Sequence, residues 1–188
     1  MRKLILFNLM TLDGYFEGPD HNIDWHNVDA EFNEFAIEQI ANTDGLIFGR
    51  VTYELMAAYW PTREAIQSDP LVADWMNKLP KYVFSRKLDR VDWANSHLIK
   101  GDAVVELRKI KEQPGRDLFI FGSADLSTTL MQNNLIDEYR VIINPILLGK
   151  GTPLFKGLTG PINLQHLKTR TFQNGNVLLY YQPVNATR

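Results

Sequence analysis

The 188-residue chain contains no cysteine, which excludes disulfides and thiolate metal sites and removes the thiol from the possible nucleophiles. It lacks any apolar run approaching the roughly 20 residues that a membrane-spanning helix requires. It also lacks a strong charge of either sign. A formal net charge of −2 and a pI near 6.1 create no overall attraction to nucleic acid or anionic membrane, so any anion site must be local. No repeat, low-complexity tract or linker-like stretch interrupts it, and residues 1–188 are expected to form a single domain. The opening "MRKLILFNLMTLDGYFEG" starts basic, but Asn8 and Asp13-Gly14 break its apolar run and no small-residue cleavage pattern follows; it reads as a first strand rather than a leader. The reducing cytoplasm is the simplest compartment for such a chain.

What is present is a conventional globular composition, 45% apolar and 22% charged, enough to bury one substantial core. Strand-like runs fall at Lys3–Leu9, Gly45–Phe48, Lys81–Ser85, Ser96–Ile99, Leu118–Phe121, Glu138–Ile146, Leu164–Thr171 and Val177–Tyr181. Helical patterns cover Ala30–Ala41, Thr52–Tyr59, Pro70–Lys78, Ala103–Lys111 and Ala124–Asn133. Alternation of strand and helix through residue 134 predicts an α/β fold with a mostly parallel sheet and helices on both faces. After residue 138 the helices stop, and Asn174-Gly175 between two alternating runs predicts a C-terminal antiparallel hairpin, making the sheet mixed.

Three strand ends carry residues suited to anions. In "LIFGRVTYELM", Gly49 permits close approach at the carboxyl end of a strand, Thr52 can cap the following helix, and Arg50 offers a countercharge to a phosphate at that helix's N-terminus. In "LFIFGSADLSTTL", Gly122-Ser123 precede a helix opening with Ala124, Asp125 and Leu126, again leaving room for a pyrophosphate. In "VFSRKLD", Ser85, Arg86 and Lys87 leave a strand together, a hydroxyl and two cations able to clasp a phosphate monoester. Each has a plainer reading as a turn, an N-cap or a solvated loop. Parallel strands, however, present their carboxyl ends on one edge of a sheet, where three such turns can meet one extended phosphate-bearing ligand.

Other patterns exclude functions. "LLGKGTPLF" fails as a P-loop, because Asn144 stands five before Gly149 and Lys150 is followed by Gly151; a glycine-rich bend explains it. His21, Asp24 and His26 in "HNIDWH" have irregular spacing for metal ligands, and no metal is expected. Ser123 lacks the G-x-S-x-G elbow of a hydrolase. The long aromatic loop "TLDGYFEGPDHNIDW" after the first strand reads as a lid, with Tyr15, Phe16 and Trp25 supplying apolar surface for a flat ring.

Taken in order, "MTLDGYFEG", "FGRVTYE", "FSRKL" and "FGSADLSTTLMQNNLIDEYRVIINPILLGKGTPLF" resemble the dihydrofolate reductase fold, in the branch of the C-terminal reductase domain of bacterial riboflavin biosynthesis. The resemblance covers nearly the whole chain. It implies a central eight-stranded mixed sheet, NADPH as cofactor, and hydride transfer to a small pyrimidine- or pterin-like substrate. By position it implies that Gly49, Arg50 and Thr52 hold phosphates and that Ser85, Arg86 and Lys87 hold the adenosine 2′-phosphate. Gly122, Ser123, Ala124, Asp125 and Leu126 would follow the pyrophosphate and nicotinamide ribose, with Leu12 near the nicotinamide. Asp13, Tyr15, Trp25, Met56 and Trp60 would face the substrate.

Two departures accompany the resemblance. Gly122-Ser123 replaces the Gly-Gly of folate reductases, so close approach requires the Ser123 side chain to turn away. The carboxylate that those enzymes carry on their first helix has no counterpart either, since counting from Trp25 reaches Ala30 and counting from Gly49-Arg50 reaches Asn33. Asp29, Glu31 and Glu34 are the nearby candidates for a proton donor, with the solvent face of a helix as the alternative. Two further readings are a non-catalytic NADP-binding module and a flavodoxin-like FMN protein. A homodimer is expected from apolar edge surface on Tyr139–Ile146 and Val177–Tyr181.

Overall fold

A computed structural model describes residues 1–184. Its frame follows from strands that are apolar on consecutive positions. In β1 (Leu4–Thr11) only Leu9 is not fully buried; Leu4 and Leu6 enter one core while Ile5 and Phe7 enter the other. A strand covered on both faces is what a sheet sandwiched between helices demands. The chain then runs through β2 (Tyr15–Glu17), one 3₁₀ turn at Pro19–His21, α1 (Ala30–Ala41), β3 (Thr43–Gly49), α2 (Arg50–Tyr59), α3 (Arg63–Ser68) and α4 (Pro70–Lys78). It continues with β4 (Lys81–Phe84), β5 (Ser96–Ile99), α5 (Ala103–Glu112), β6 (Asp117–Ile120), α6 (Ala124–Gln132), β7 (Glu138–Asn144), β8 (Thr152–Pro153), β9 (Leu164–Thr171) and β10 (Val177–Pro183).

Eight of these strands form one sheet in the order β5-β4-β3-β6-β1-β7-β10-β9. The pairs from β5 to β7 are all parallel, and β10 runs antiparallel to both β7 and β9. This is the mixed, mostly parallel dihydrofolate-reductase-like sheet with helices on both faces and a C-terminal hairpin. The order also differs from the 2-1-3-4-5 sheet of flavodoxin-like proteins, which removes that fold. The α1, α2 and α4 side chains Phe35, Tyr53 and Met76 pack on one face, and Leu107, Leu130 and Met131 of α5 and α6 on the other. Each fully buried Leu or Phe contributes about 1.5–3 kcal/mol.

The expectation of apolar edges on Tyr139–Ile146 and Val177–Tyr181 is corrected by this order, because β7 and β10 are interior strands. The edge on that side is β9, exposed at every residue except Arg170, and the opposite edge is β5. Three elements escaped the periodicity. β2 and β8 form a separate two-stranded ribbon, and α3 is a six-residue helix. The hairpin closes through Phe172 and Asn176, with Gly175 at φ +89°. The ribbon fixes the lid. Asp13 accepts hydrogen bonds from Thr11 Oγ1 at 2.6 Å and from the Leu148 and Gly149 amides at 3.2 and 2.7 Å. The Thr11 hydroxyl, with those amides, holds its carboxyl below the usual aspartate range.

Candidate active site

Two cavities open along α2 and the β6–α6 turn. The first, a cleft of about 440 Å³, lies where β3, β4 and β6 end, and gathers Gly49, Arg50, Thr52, Ser85, Lys87 and Ser123 with the opening of α6, Ala124, Asp125 and Leu126. All three turns singled out in the sequence therefore meet. Their interlock is specific. Gly49 N donates to Ser123 Oγ at 2.8 Å, while Ser123 N and Ser123 Oγ donate to Thr52 Oγ1 at 3.1 and 2.9 Å. A Cβ on Gly49 would stand 2.7 Å from Ser123 Oγ, and one on Gly122 would stand 3.0 Å from Thr52 Oγ1. Gly122 and Ser123 both adopt φ of +55°, and Ser123 turns its hydroxyl into the latch. Thr52, expected as a helix cap, is instead buried in this latch, because α2 starts two residues earlier.

The helix termini differ in a way that bears on anions. α1, α3, α4 and α5 are capped by their own Asp29, Thr62, Asp69 and Asp102 side chains. The N-termini of α2 and α6, the two at the cleft, have no side-chain cap, so their first amides and the positive ends of their dipoles are left to a ligand. Cations stand beside them. Arg50 pairs with Glu54 at 2.7 Å, Lys156 with Asp125 at 2.9 Å, and Lys87 also lines the cleft. Both ion pairs are partly exposed surface pairs of the kind worth little by themselves, and open readily to a phosphate. Ser85 Oγ accepts from the Lys87 and Leu88 amides at 3.1 Å, setting the turn that presents Lys87. Arg86 is exposed and lies off the wall, and Leu12 is 66% exposed and lines neither cavity.

The second cavity, about 550 Å³, lies between α1, α2, α4 and the sheet, walled mainly by apolar groups such as Phe7, Phe32, Met56, Trp60 and Phe121. One helix serves both sites. The first turn of α2 forms the cleft and its last turns carry Met56, Tyr59 and Trp60 into the second cavity; Phe121 and Ser123 do the same around Gly122. Met56 and Trp60 thus line this cavity, whereas Asp13 and Tyr15 belong to the ribbon and its anchor and line neither cavity. Trp25 stacks edge-on against His26, ring centres 4.5 Å apart.

The carboxylates sought as proton donors have other work. Asp29 caps α1 through the Phe32 amide at 2.9 Å, Glu31 accepts from the Gln173 amide at 2.9 Å, and Glu34 is exposed. None lines either of these two cavities; α1 instead turns Asn33 to the second. Residues missed in the sequence include Glu17, Thr152 and Lys156 in the cleft, where Phe16 of the lid and His21 also stand. Their signal was the β2–β8 pairing, invisible at two or three residues. His26 was weighed only with His21 as a metal ligand, yet the two line different cavities. Burial lowers the His26 pKa to about 4, and Nε2 is buried without a partner. Asn27 beside it is tied to Asn144, Asn174 and Asn176, which fixes the end of the lid over this cavity.

An eight-stranded sheet of this order, with an anion-ready cleft beside an apolar pocket, defines a dihydrofolate-reductase-like fold. The chain belongs to the RibD C-terminal domain family, whose profile matches residues 2–178. YyaP, an uncharacterized protein of Bacillus subtilis (strain 168), is 36% identical over 96% of this chain and 94% of its own. Among solved structures, a diaminohydroxyphosphoribosylaminopyrimidine deaminase/5-amino-6-(5-phosphoribosylamino)uracil reductase from Thermotoga maritima superposes with a TM-score of 0.70 at 15% identity. The match covers 97% of this chain and 56% of that one. Dihydrofolate reductase from Enterococcus faecalis, complexed with NADP(H), gives a TM-score of 0.66 at 12% identity, covering 97% of both chains. At these identities the two structures speak for the fold alone.

Proposed function

We propose that the chain is an NADPH-dependent reductase of a small planar heterocycle, pyrimidine- or pterin-like. The observation that carries this reading is the pairing of two uncapped helix N-termini, α2 and α6, with Arg50, Lys87 and Lys156 around one cleft. The residues present suit a dinucleotide. The α2 and α6 amides would take the pyrophosphate, with Gly49 and Gly122 keeping the two turns close, and Ser85 with Lys87 would take a 2′-phosphate. Bound there, NADPH would supply the hydride. The chain's own part is to hold the substrate ring between Met56, Trp60 and Phe121, exclude water, and keep the lid shut through the Asn27 network. The His26 ring, neutral at physiological pH, lines this pocket, and the proton that completes reduction would come from a water admitted at the pocket mouth before closure.

Asn33, standing on the cavity wall where a carboxylate was sought, favours a second reading: a module that binds NADP without turnover. The two are separated by NADPH oxidation measured across pyrimidines, pterins and quinones. Cofactor choice is tested by titrating NADPH and NADH into wild type and Lys87→Ala. The expected result is NADPH binding weakened about tenfold, with NADH unchanged; equal loss for both nucleotides would remove the 2′-phosphate assignment. Arg86→Ala, off the wall, should have the smaller effect. A homodimer through the β9 edge, where Leu164 and Leu167 are exposed, and a cytoplasmic location complete the proposal.

A further inference from the structure

We infer that the substrate of this site carries no phosphate and no other anionic group; this rests on the reading of the neighbouring cleft as the cofactor seat. The argument compares the two cavities. The cleft has three cations and two open helix N-termini. The apolar cavity has neither. Among the described residues no lysine or arginine lines it, and its charged members are Asp24 and Asp69. The helix N-termini nearest to it are already filled. Asp29 accepts from the Phe32 amide at the start of α1, and Asp69 accepts from the Val72 amide at the start of α4, where Pro70 removes a further donor.

Arg140 reaches one residue of the wall, Gln39, but faces a different groove. Gln39 and Phe119 are common to that groove and to the apolar cavity. Arg140 is held by Glu138 Oε1 at 2.7 Å and donates to Gln39 Oε1, its side chain only 16% exposed, so its charge is already compensated. A phosphate brought into the apolar cavity would lose its hydration, find no donor of opposite charge, and stand near two carboxylates. A flat uncharged ring meets Phe7, Phe32, Trp60 and Phe121 instead, with Asn33 and Gln39 on the wall to read its edge. This separates the chain from the Thermotoga maritima enzyme, whose name specifies a phosphoribosylamino substrate.

The test uses matched pairs that differ by one phosphate: riboflavin against FMN, and ribitylaminouracil against its phosphate ester. Each is titrated into the full chain saturated with NADP⁺, followed by quenching of tryptophan fluorescence, with the thermal shift given by NADP⁺ alone recorded on the same samples. The phosphate-free member should bind roughly tenfold or more tightly in each pair that binds. A phosphorylated member that binds as tightly or more tightly overturns the inference, as does the failure of both phosphate-free members to bind. Absence of the NADP⁺ shift would instead mark failure of the cofactor reading, so the two failures are distinguishable.

Discussion

Ser123 occupies left-handed backbone at φ 55° and ψ 59°, a conformation that costs a non-glycine residue about 1–2 kcal/mol, and its hydrogen bonds to Gly49 and Thr52 offset that cost. Gly49 is the partner that cannot change. Gly49→Ala should lower stability by about 1–3 kcal/mol and weaken nucleotide binding together, read by thermal melting and NADPH titration; a neutral substitution would mean that the two turns are not interlocked. His26 gives a pH signature. Its folded pKa, near 4, lies below the ordinary value of 6.5, so the unfolded chain binds the proton more readily. Stability from this group is whole above pH 6.5 and is lost as pH falls toward 4. The loss should be about 3 kcal/mol, measured by urea melts across that window, and His26→Phe should flatten the slope.

At the scale of elements, the inner strands of the main sheet were legible because strands buried on both faces read as continuous apolar runs, the exposed β9 because Asn174-Gly175 marks a hairpin with β10, and the phosphate turns because glycine and small hydroxyl residues punctuate strand ends. β2 and β8 were not legible. They are short, and they pair residues 15–17 with 152–153, a contact that no local pattern encodes. Lys156 was missed for the same reason, and His26 was weighed only as a metal ligand because its place depends on where the lid lands. Asp13 is the clearest case: chosen as a substrate contact, it is the clasp that joins the lid to the Leu148-Gly149 bend. Asp13→Ala should accelerate amide hydrogen exchange at Leu148 and Gly149 while leaving β1 and β6 protected; unchanged exchange at both amides would refute the clasp.

Over the whole molecule the sheet separates two kinds of surface. The carboxyl ends of β3, β4 and β6 expose free amides and cations, and the adjoining face of α1, α2 and α4 encloses an apolar pocket with its nearby helix ends already capped. That division is what makes a reductase of an uncharged ring the reading best supported. The assembly is tested separately: sedimentation should give a dimer that Leu167→Glu converts to monomer, and a monomeric wild type would remove the β9 interface from the account. The most direct measurement is a crystal structure grown with NADP⁺. The account predicts density for the pyrophosphate between the N-termini of α2 and α6, with the 2′-phosphate at Ser85 and Lys87. Density in the groove of Arg140 and Lys168 at the opposite end of the strands, with the cleft left to solvent, would contradict it.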